Sequence, residues 1–223
     1  MTKPKAKPGT ATPRRRLRAE ERREQILGAA MEVFAERGYQ EASVAEIARE
    51  AGITPAVIYD HFASKAELQI TLLEAQTGEL LAFVGSAVAG EFEDTAARIR
   101  AGVNAFFTFV EEHPYAWRML FRDPPTDPAI LSTYRRIHSQ ATAGIAVFLR
   151  ASAPDALLEG DDAERDLEMF AEMLKMAQNG LAVWWYEHRD VPRAVLVDRV
   201  LEFCWAGLER LSAGERISGA GAR

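Results

Sequence analysis

Residues 43–65 constrain the fold more than any other stretch, because they encode two short helices joined by a tight turn. They read SVAEIAREAGITPAVIYDHFASK. Ser43, followed three residues later by Glu46, forms a capping box that begins a helix. Gly52 supplies the left-handed conformation that a sharp helix end requires, and Thr54 then caps a second helix. This order is typical of a helix-turn-helix, whose second helix enters the DNA major groove. The alternative is an ordinary helical hairpin with no DNA role.

The same residues resemble the TetR family of bacterial transcriptional regulators. The resemblance begins near Glu24, in the helix EQILGAAMEVFAERGY, and is close as far as Leu68, with IYDHFASKAEL as its most characteristic part. Further along it rests on helical architecture and on the fragments EEHPYAWRMLFRD and WWYEHRDVP. The resemblance implies an all-α homodimer. A three-helix N-terminal domain would bind DNA, and a larger C-terminal helical domain would bind a small molecule and dimerise.

Composition and periodicity favour the same fold class. Alanine, leucine and glutamate are plentiful, and the alternation typical of strands is absent. The single cysteine fits a reducing cytoplasm, and no apolar run approaches the roughly 18–20 residues of a membrane span. We therefore expect a cytoplasmic all-α protein of about nine helices. They are predicted over residues 19–37, 44–50, 55–61, 65–88, 94–112, 114–121, 128–151, 162–188 and 192–212.

Four segments are predicted along the chain. A basic arm over 1–18 precedes a helix-turn-helix DNA-binding domain over 19–68. A helical ligand-binding and dimerisation domain follows over 69–213, and a flexible Gly/Ala-rich tail covers 214–223.

The charge is divided unevenly between these segments. Residues 1–23 hold nine Lys or Arg and two Glu, a net charge of +7, so the other 200 residues carry −13 of the total of −6. The positive charge lies beside the helix-turn-helix, where DNA phosphates would be, and the acidic remainder would repel DNA. The alternative is a solvated tail with no role.

The start of the second helix of a helix-turn-helix meets base edges. The family resemblance implies phosphate contacts by Tyr59, His61 and Lys65, although Tyr59 could equally be a half-buried packing residue and His61 a structural histidine. Val57 departs from the common family pattern and cannot donate a hydrogen bond to phosphate. Asp60 is either a reader of cytosine or a residue turned away from DNA. The predicted DNA-contacting residues are Arg14, Arg15, Arg16, Ser43, Thr54, Pro55, Ala56, Tyr59, Asp60, His61 and Lys65.

The last two predicted helices carry apolar residues at alternating spacings of four and three, which suits a seam between paired helices. Each also carries apolar residues on a second face, so each needs two neighbours. A second copy of the chain can supply one of them, giving a four-helix interface across a two-fold axis. The alternative is burial within a monomer. The predicted interface residues are Phe170, Leu174, Leu181, Val197, Leu201, Cys204 and Leu208.

The middle of the chain is rich in aromatic residues and holds a few polar groups on apolar faces. Such a domain could enclose a small hydrophobic molecule, although aromatic stripes at helical spacing are more often plain core. The predicted pocket residues are Asn104, Phe106, Phe107, Trp117, Phe121, Tyr134, His138, Met173 and Trp184.

Catalytic and metal-binding patterns are lacking in the sequence. The four histidines have no metal-ligand spacing, and neither HExxH, CxxC nor a Gly-rich phosphate loop occurs. We therefore expect no enzyme activity, cofactor or metal. The sequence predicts a ligand-responsive regulator of transcription, a repressor that leaves a palindromic operator when its effector binds. The alternatives are an all-α ligand-binding protein and a sequence-independent DNA-coating protein.

Overall fold

The structure is a computed structural model. It describes residues 19–122, 126–152 and 162–212, with residue 152 and residues 205–212 described by their backbone only. The predicted arm and tail lie outside the described residues. Within these ranges the chain is all-α, as predicted, with no strand. The helices are α1 (Ala19–Glu41), α2 (Val44–Glu50), α3 (Pro55–Tyr59), α4 (Lys65–Val88), α5 (Thr95–Glu112), α6 (Pro114–Trp117), α7 (Pro128–Ser152), α8 (Ala163–Glu187) and α9 (Arg193–Ser212), and a π-helical turn, Arg118–Arg122, continues α6.

The N-terminal helices form where the predicted caps and glycines place their ends. Gly38 adopts a φ of +75° and breaks α1, and Gly52 adopts +65° in the turn between α2 and α3. Both angles lie in the left-handed region that disfavours residues with a Cβ. Ser64 caps α4 by accepting a hydrogen bond from the Glu67 N–H. The bounds of α2 and α4 match the prediction, whereas α3 ends two residues before the predicted residue 61.

Two hydrophobic cores meet along α4. Leu68 and Leu72 belong to the first core, which is built from α1, α2 and α3 around Ile26, Phe34 and Ile47. One residue later, Leu73 begins the second core, which extends through the remaining helices. A single rigid helix therefore carries part of the packing of both halves.

The second core is a bundle in which α5 contacts α4, α8 and α9, while α7 packs between α4 and α8. Trp185 is buried at the centre, edge-on to Phe107 at a ring separation of 6.0 Å. Its indole N–H donates to the Val191 carbonyl at 2.8 Å, which fixes the turn into α9. Across the described ranges, no helix is both long and apolar enough to span a membrane.

Candidate nucleic-acid interface and ligand cavity

The start of α2 is held by a complete capping box. The Ser43 hydroxyl oxygen accepts from the Glu46 N–H at 3.2 Å, and the Ser43 N–H donates to Glu46 Oε2 at 3.0 Å. These hydrogen bonds lower the pKa of Glu46, and Arg37 pairs with the same carboxylate at 2.8 Å. Ser43, predicted to contact DNA, thus has a structural task at the start of the helix.

The outer face of α3 is exposed, as a reading helix requires. Thr54, Pro55, Ala56 and Asp60 are exposed, and Tyr59 is 55% exposed. Ile58 points the other way and is buried in the first core. Thr54 occupies the N-cap position, but its side chain makes no capping hydrogen bond. DNA contacts by these residues stay predictions, as do both alternatives for Asp60.

Lys65 has partners within the protein. Its ammonium donates to the Tyr39 carbonyl at 2.8 Å and the Ala42 carbonyl at 3.0 Å, and it lies 4.3 Å from the centre of the Tyr39 ring. It therefore ties the start of α4 to the end of α1. A phosphate contact by Lys65 stays a prediction, and it would have to share an ammonium that these carbonyls already occupy.

Sequence reasoning missed two residues that brace the helix-turn-helix from α1. Arg23 donates to the His61 carbonyl at 3.1 Å and lies 4.1 Å from the centre of the Phe62 ring. Gln25 donates to the Ala51 carbonyl at 2.7 Å. Both contacts join residues more than 20 positions apart, so no local sequence pattern predicts them. His61 itself is partly exposed, and Arg14, Arg15 and Arg16 lie outside the described residues.

A cavity of about 260 Å³ lies between α4, α5, α7 and α8. Three of its lining residues are polar (Lys175, Gln178 and Asn179), and all three lie on α8. The others are apolar or glycine: Leu80, Leu81, Val84, Gly85, Val88, Ile99, Gly102, Val103, Phe106, Phe121, Ala141, Gly144, Ile145, Phe148 and Leu174. Such a lining, mostly apolar with a few polar groups on one side, suits a hydrophobic ligand.

Comparison with known proteins decides the family. Residues 26–70 match the family described as bacterial regulatory proteins, tetR family, and residues 95–207 match the tetracyclin repressor-like C-terminal domain. The chain belongs to the TetR family. It is 32% identical over 197 residues to the HTH-type transcriptional activator FasR of Mycolicibacterium smegmatis. The aligned region covers 88% of this chain and 87% of that relative. Family members are DNA-binding regulators of transcription and not enzymes, in agreement with the sequence-based expectation.

Solved structures share the fold of this TetR-family chain. A TetR-like transcriptional regulator from Rhodococcus sp. RHA1 superposes with a TM-score of 0.70 at 23% identity, covering 87% of this chain and 99% of that one. The transcriptional regulator FadR from Bacillus subtilis, solved in complex with stearoyl-CoA, gives a TM-score of 0.68 at 18% identity, covering 81% and 96%.

The TetR-family cavity includes two of the nine predicted pocket residues, Phe106 and Phe121. The other seven do not line it, and a ligand contact by any of them stays a prediction. Phe107 and Trp117 are fully buried in the solid core, and Asn104 is exposed on the outer face of α5. Met173 and Trp184 are also exposed, on the outer face of α8. His138 is half buried next to Phe121, with 5.5 Å between the ring centres, and the half-buried Tyr134 lies 4.3 Å from the His138 ring.

A polar cluster closes the α7–α8 side of this wall. The Lys175 ammonium donates to Thr142 Oγ1 at 2.6 Å, to Glu172 Oε2 at 2.7 Å and to the His138 carbonyl at 3.2 Å. The hydrogen bonds from Lys175 and Thr142 lower the pKa of Glu172. Burial lowers the pKa of His138, whose Nε2–H donates to the Leu120 carbonyl at 3.1 Å.

The described residues of the predicted interface stripe pack against the core on both helices. Leu174, Val197 and Leu201 are buried in the core of one chain, and their part in an interface stays a prediction. Phe170, Leu181 and Cys204 are partly exposed, and an interface role for them stays a prediction. Burial raises the pKa of the Cys204 thiol, as expected for a packed residue. The side chain of Leu208 lies outside the described residues.

Another stripe is exposed instead. Met169, Met173, Met176 and Val183 follow one face of α8 and are exposed, and Phe203 on α9 is 79% exposed. We call these five residues the outer stripe. On α8 its residues follow the same alternating spacing as the predicted interface stripe, shifted by one residue along the sequence. Periodicity alone therefore could not tell which stripe faces the core.

Proposed function

We propose that this TetR-family regulator acts as a homodimer that binds a palindromic operator and leaves it when a long acyl chain occupies the cavity. The observation that carries the proposal is the double role of α4. This helix begins against the helix-turn-helix and ends as a wall of the cavity, to which it contributes Leu80, Leu81, Val84, Gly85 and Val88. A ligand that prefers a displaced α4 therefore moves the DNA-binding half.

Further contacts would carry that displacement. The Arg118 guanidinium donates to the Ala35 carbonyl of α1 at 3.2 Å. The Tyr39 hydroxyl donates to Asp127, just before α7, at 3.0 Å, and burial together with this contact raises the pKa of Tyr39 to about 12. The DNA-binding core is thus attached to the ligand-binding half by side-chain hydrogen bonds as well as by α4.

The nature of the effector follows from the cavity wall. Apolar side chains line most of it, so the ligand is expected to be a small hydrophobic molecule. The fold-sharing FadR of Bacillus subtilis was solved with stearoyl-CoA, which makes a long acyl chain the first class to test.

The proposed homodimer agrees with the predicted palindromic operator. The outer stripe consists of exposed apolar side chains, and exposed apolar surface of this kind can mark a protein interface. A two-fold dimer would hold two copies of α3 for half-sites one DNA turn apart, about 34–36 Å. We propose a cytoplasmic repressor, as the sequence analysis did. The relative FasR is named an activator, and release of DNA by a ligand would end either kind of regulation.

The proposal is tested by measuring operator binding with and without acyl-CoA. DNA selected by the wild-type protein from a random pool is labelled, and its affinity is followed by fluorescence anisotropy during titration with stearoyl-CoA. We expect a palindromic sequence, loss of DNA affinity with stearoyl-CoA and no effect of CoA alone. Because coupling is reciprocal, operator DNA should weaken stearoyl-CoA binding by the same factor. A specificity ratio near one would instead indicate a DNA-coating protein.

Two glycine variants provide a matched pair. Gly144 lines the cavity and Gly78 does not, and a Cβ at either helical position would meet no atom within 4 Å. Gly144→Leu should fill the cavity and abolish release by stearoyl-CoA while leaving DNA affinity within about twofold. Gly78→Leu should respond like the wild type, since both changes raise helix propensity by a similar amount. Equal responses of the two variants would place the effector elsewhere.

A further inference from the structure

The cavity wall is chemically uneven, and this unevenness narrows the class of effector. Lys175, Gln178 and Asn179 are 7%, 8% and 8% exposed, and they lie together on α8, opposite the apolar walls from α4 and α5. A plain hydrocarbon chain can form no hydrogen bond with these three buried polar side chains. Burying polar groups without partners is unfavourable, so their hydrogen-bonding state decides what they could recognise.

Lys175 is already satisfied. An ammonium has three N–H donors, and those of Lys175 meet Thr142 Oγ1, Glu172 Oε2 and the His138 carbonyl. A ligand carboxylate would have to displace Glu172 from this arrangement. The ion pair therefore closes the wall rather than offering a free cation.

The two amides differ from Lys175. Asn179 Oδ1 is shielded from solvent and has no hydrogen-bond partner in the described part of the chain. The neighbouring Gln178 side chain likewise makes no hydrogen bond to any described residue. Each amide carries both an acceptor oxygen and donor N–H groups, and turning the terminal amide by about 180° exchanges their positions.

A hydroxyl group matches this pair best. It donates one hydrogen bond and accepts others, so it can satisfy the Asn179 oxygen and accept from an amide N–H at the same time. A keto or carboxylate oxygen only accepts, and would leave the Asn179 oxygen unpaired. We propose that the effector is a hydroxylated long acyl chain whose hydroxyl is bound by Asn179 and Gln178. This inference rests on the proposed function, because it assumes that the cavity is the effector site.

The test compares matched ligands on the full chain. Dissociation constants are measured by calorimetry for palmitoyl-CoA and for hydroxypalmitoyl-CoA isomers carrying the hydroxyl near the thioester, at mid-chain and at the terminal carbon. At least one isomer should bind about tenfold more tightly than palmitoyl-CoA, because a site built around a hydroxyl discriminates against ligands lacking it. Free palmitate is included, and tighter binding of palmitate than of every hydroxylated isomer would show that Lys175 receives a carboxylate instead.

Two amide variants separate recognition from stability. Asn179→Leu replaces the amide with an apolar group of similar size and should remove the preference for the hydroxylated isomer without weakening palmitoyl-CoA binding. Gln69→Leu is the matched control: Gln69 is 5% exposed and its Oε1 also lacks a partner among the described residues, but it does not line this cavity. This variant should keep the preference.

The outcomes of the ligand series are distinguishable. If palmitoyl-CoA binds and releases DNA but every isomer binds within about twofold of it, the hydroxyl inference is wrong and the proposed function stands. If no acyl-CoA binds, both are wrong. The wild-type comparison alone decides the question should Asn179→Leu fold poorly, and retention of the preference by a folded Asn179→Leu would also overturn the inference.

Discussion

Two side chains in different halves of this protein show how contacts within the chain give a residue its structural task. Ser43 is exposed at the start of α2, yet its hydroxyl and its backbone N–H both bond within the capping box. His138 is half buried between Tyr134 and Phe121, and burial lowers the pKa of its ring. Both residues illustrate that contacts local in space decide how a residue contributes to stability.

Ser43→Ala tests the capping box. Loss of the hydroxyl leaves the Glu46 N–H without its cap, and we expect the free energy of unfolding to fall by about 1 kcal/mol. Urea denaturation followed by circular dichroism measures the change. Ser86→Ala is the control, because the Ser86 hydroxyl donates to the Phe83 carbonyl within α4 and caps no helix end. Equal losses in the two variants would contradict a special role for the capping box.

His138 makes stability depend on pH. Because its pKa is lowered in the folded protein from the ordinary 6.5, the unfolded chain binds more protons below that pH, and stability falls as the solution is acidified. We expect the melting temperature to fall from about pH 7.5 to about pH 5.5, and to fall less in His138→Gln, whose amide can still donate to the Leu120 carbonyl. Glu172 acts at lower pH, since its lowered pKa contributes stability that is lost as the carboxylate is protonated. A variant with an unchanged slope would remove His138 from the explanation.

Among the elements, the helices with sequence-encoded ends were predictable. Ser43 and Ser64 cap α2 and α4, and both helices have the expected bounds. The end of α6 was not predictable, because its last turn widens into a π-helical turn at Arg118. Site residues were harder to predict than elements. Phe106 and Phe107 are consecutive and rotated by about 100° around the helix axis, so only the packing of α5 decides that Phe106 faces the cavity and Phe107 the core.

Lys65→Met tests the junction between α1 and α4. The variant keeps an apolar stem over Tyr39 but loses the donors to the carbonyls at the end of α1. We expect a loss of about 1–3 kcal/mol in the free energy of unfolding, since buried acceptors lose their partner. The salt dependence of DNA binding should stay unchanged, as measured by anisotropy at several salt concentrations. A slope lower by about one would instead support the phosphate contact implied by the family resemblance.

At the scale of the whole molecule, an exposed apolar surface remains after the two cores are assembled. The outer stripe belongs to neither core and lies on the last two helices. The sequence indicated that α8 and α9 need two neighbours, and the described residues of its predicted interface stripe pack against the core of one chain. Helical periodicity reports how many faces are apolar, whereas the rotation of each helix is set by the rest of the bundle.

Met176→Glu combined with Phe203→Glu tests dimerisation. Two carboxylates on the outer stripe would be desolvated in an interface, so we expect a monomer that keeps its helical content and loses operator affinity. Sedimentation velocity reports the mass. Val147→Glu serves as the control, because Val147 is also an exposed apolar residue but lies on α7, and this variant should remain dimeric. A double variant that sediments as a dimer would place the contact elsewhere.

The continuity of α4 also limits how the molecule can be recombined. Leu72 and Leu73 are neighbours in sequence but belong to different cores. Helix α4 therefore offers no junction at which the first core could be separated cleanly from the second. A chimera joined at residue 68 would attach the helix-turn-helix domain to the remainder of α4 from a different protein. A chimera that carries the whole of Lys65–Val88 would keep the native packing between the two cores. It would also transfer the α4 residues that line the original cavity. We therefore expect substitutions on the exposed face of α3 to change the preferred operator more readily than transfer of the whole helix-turn-helix domain.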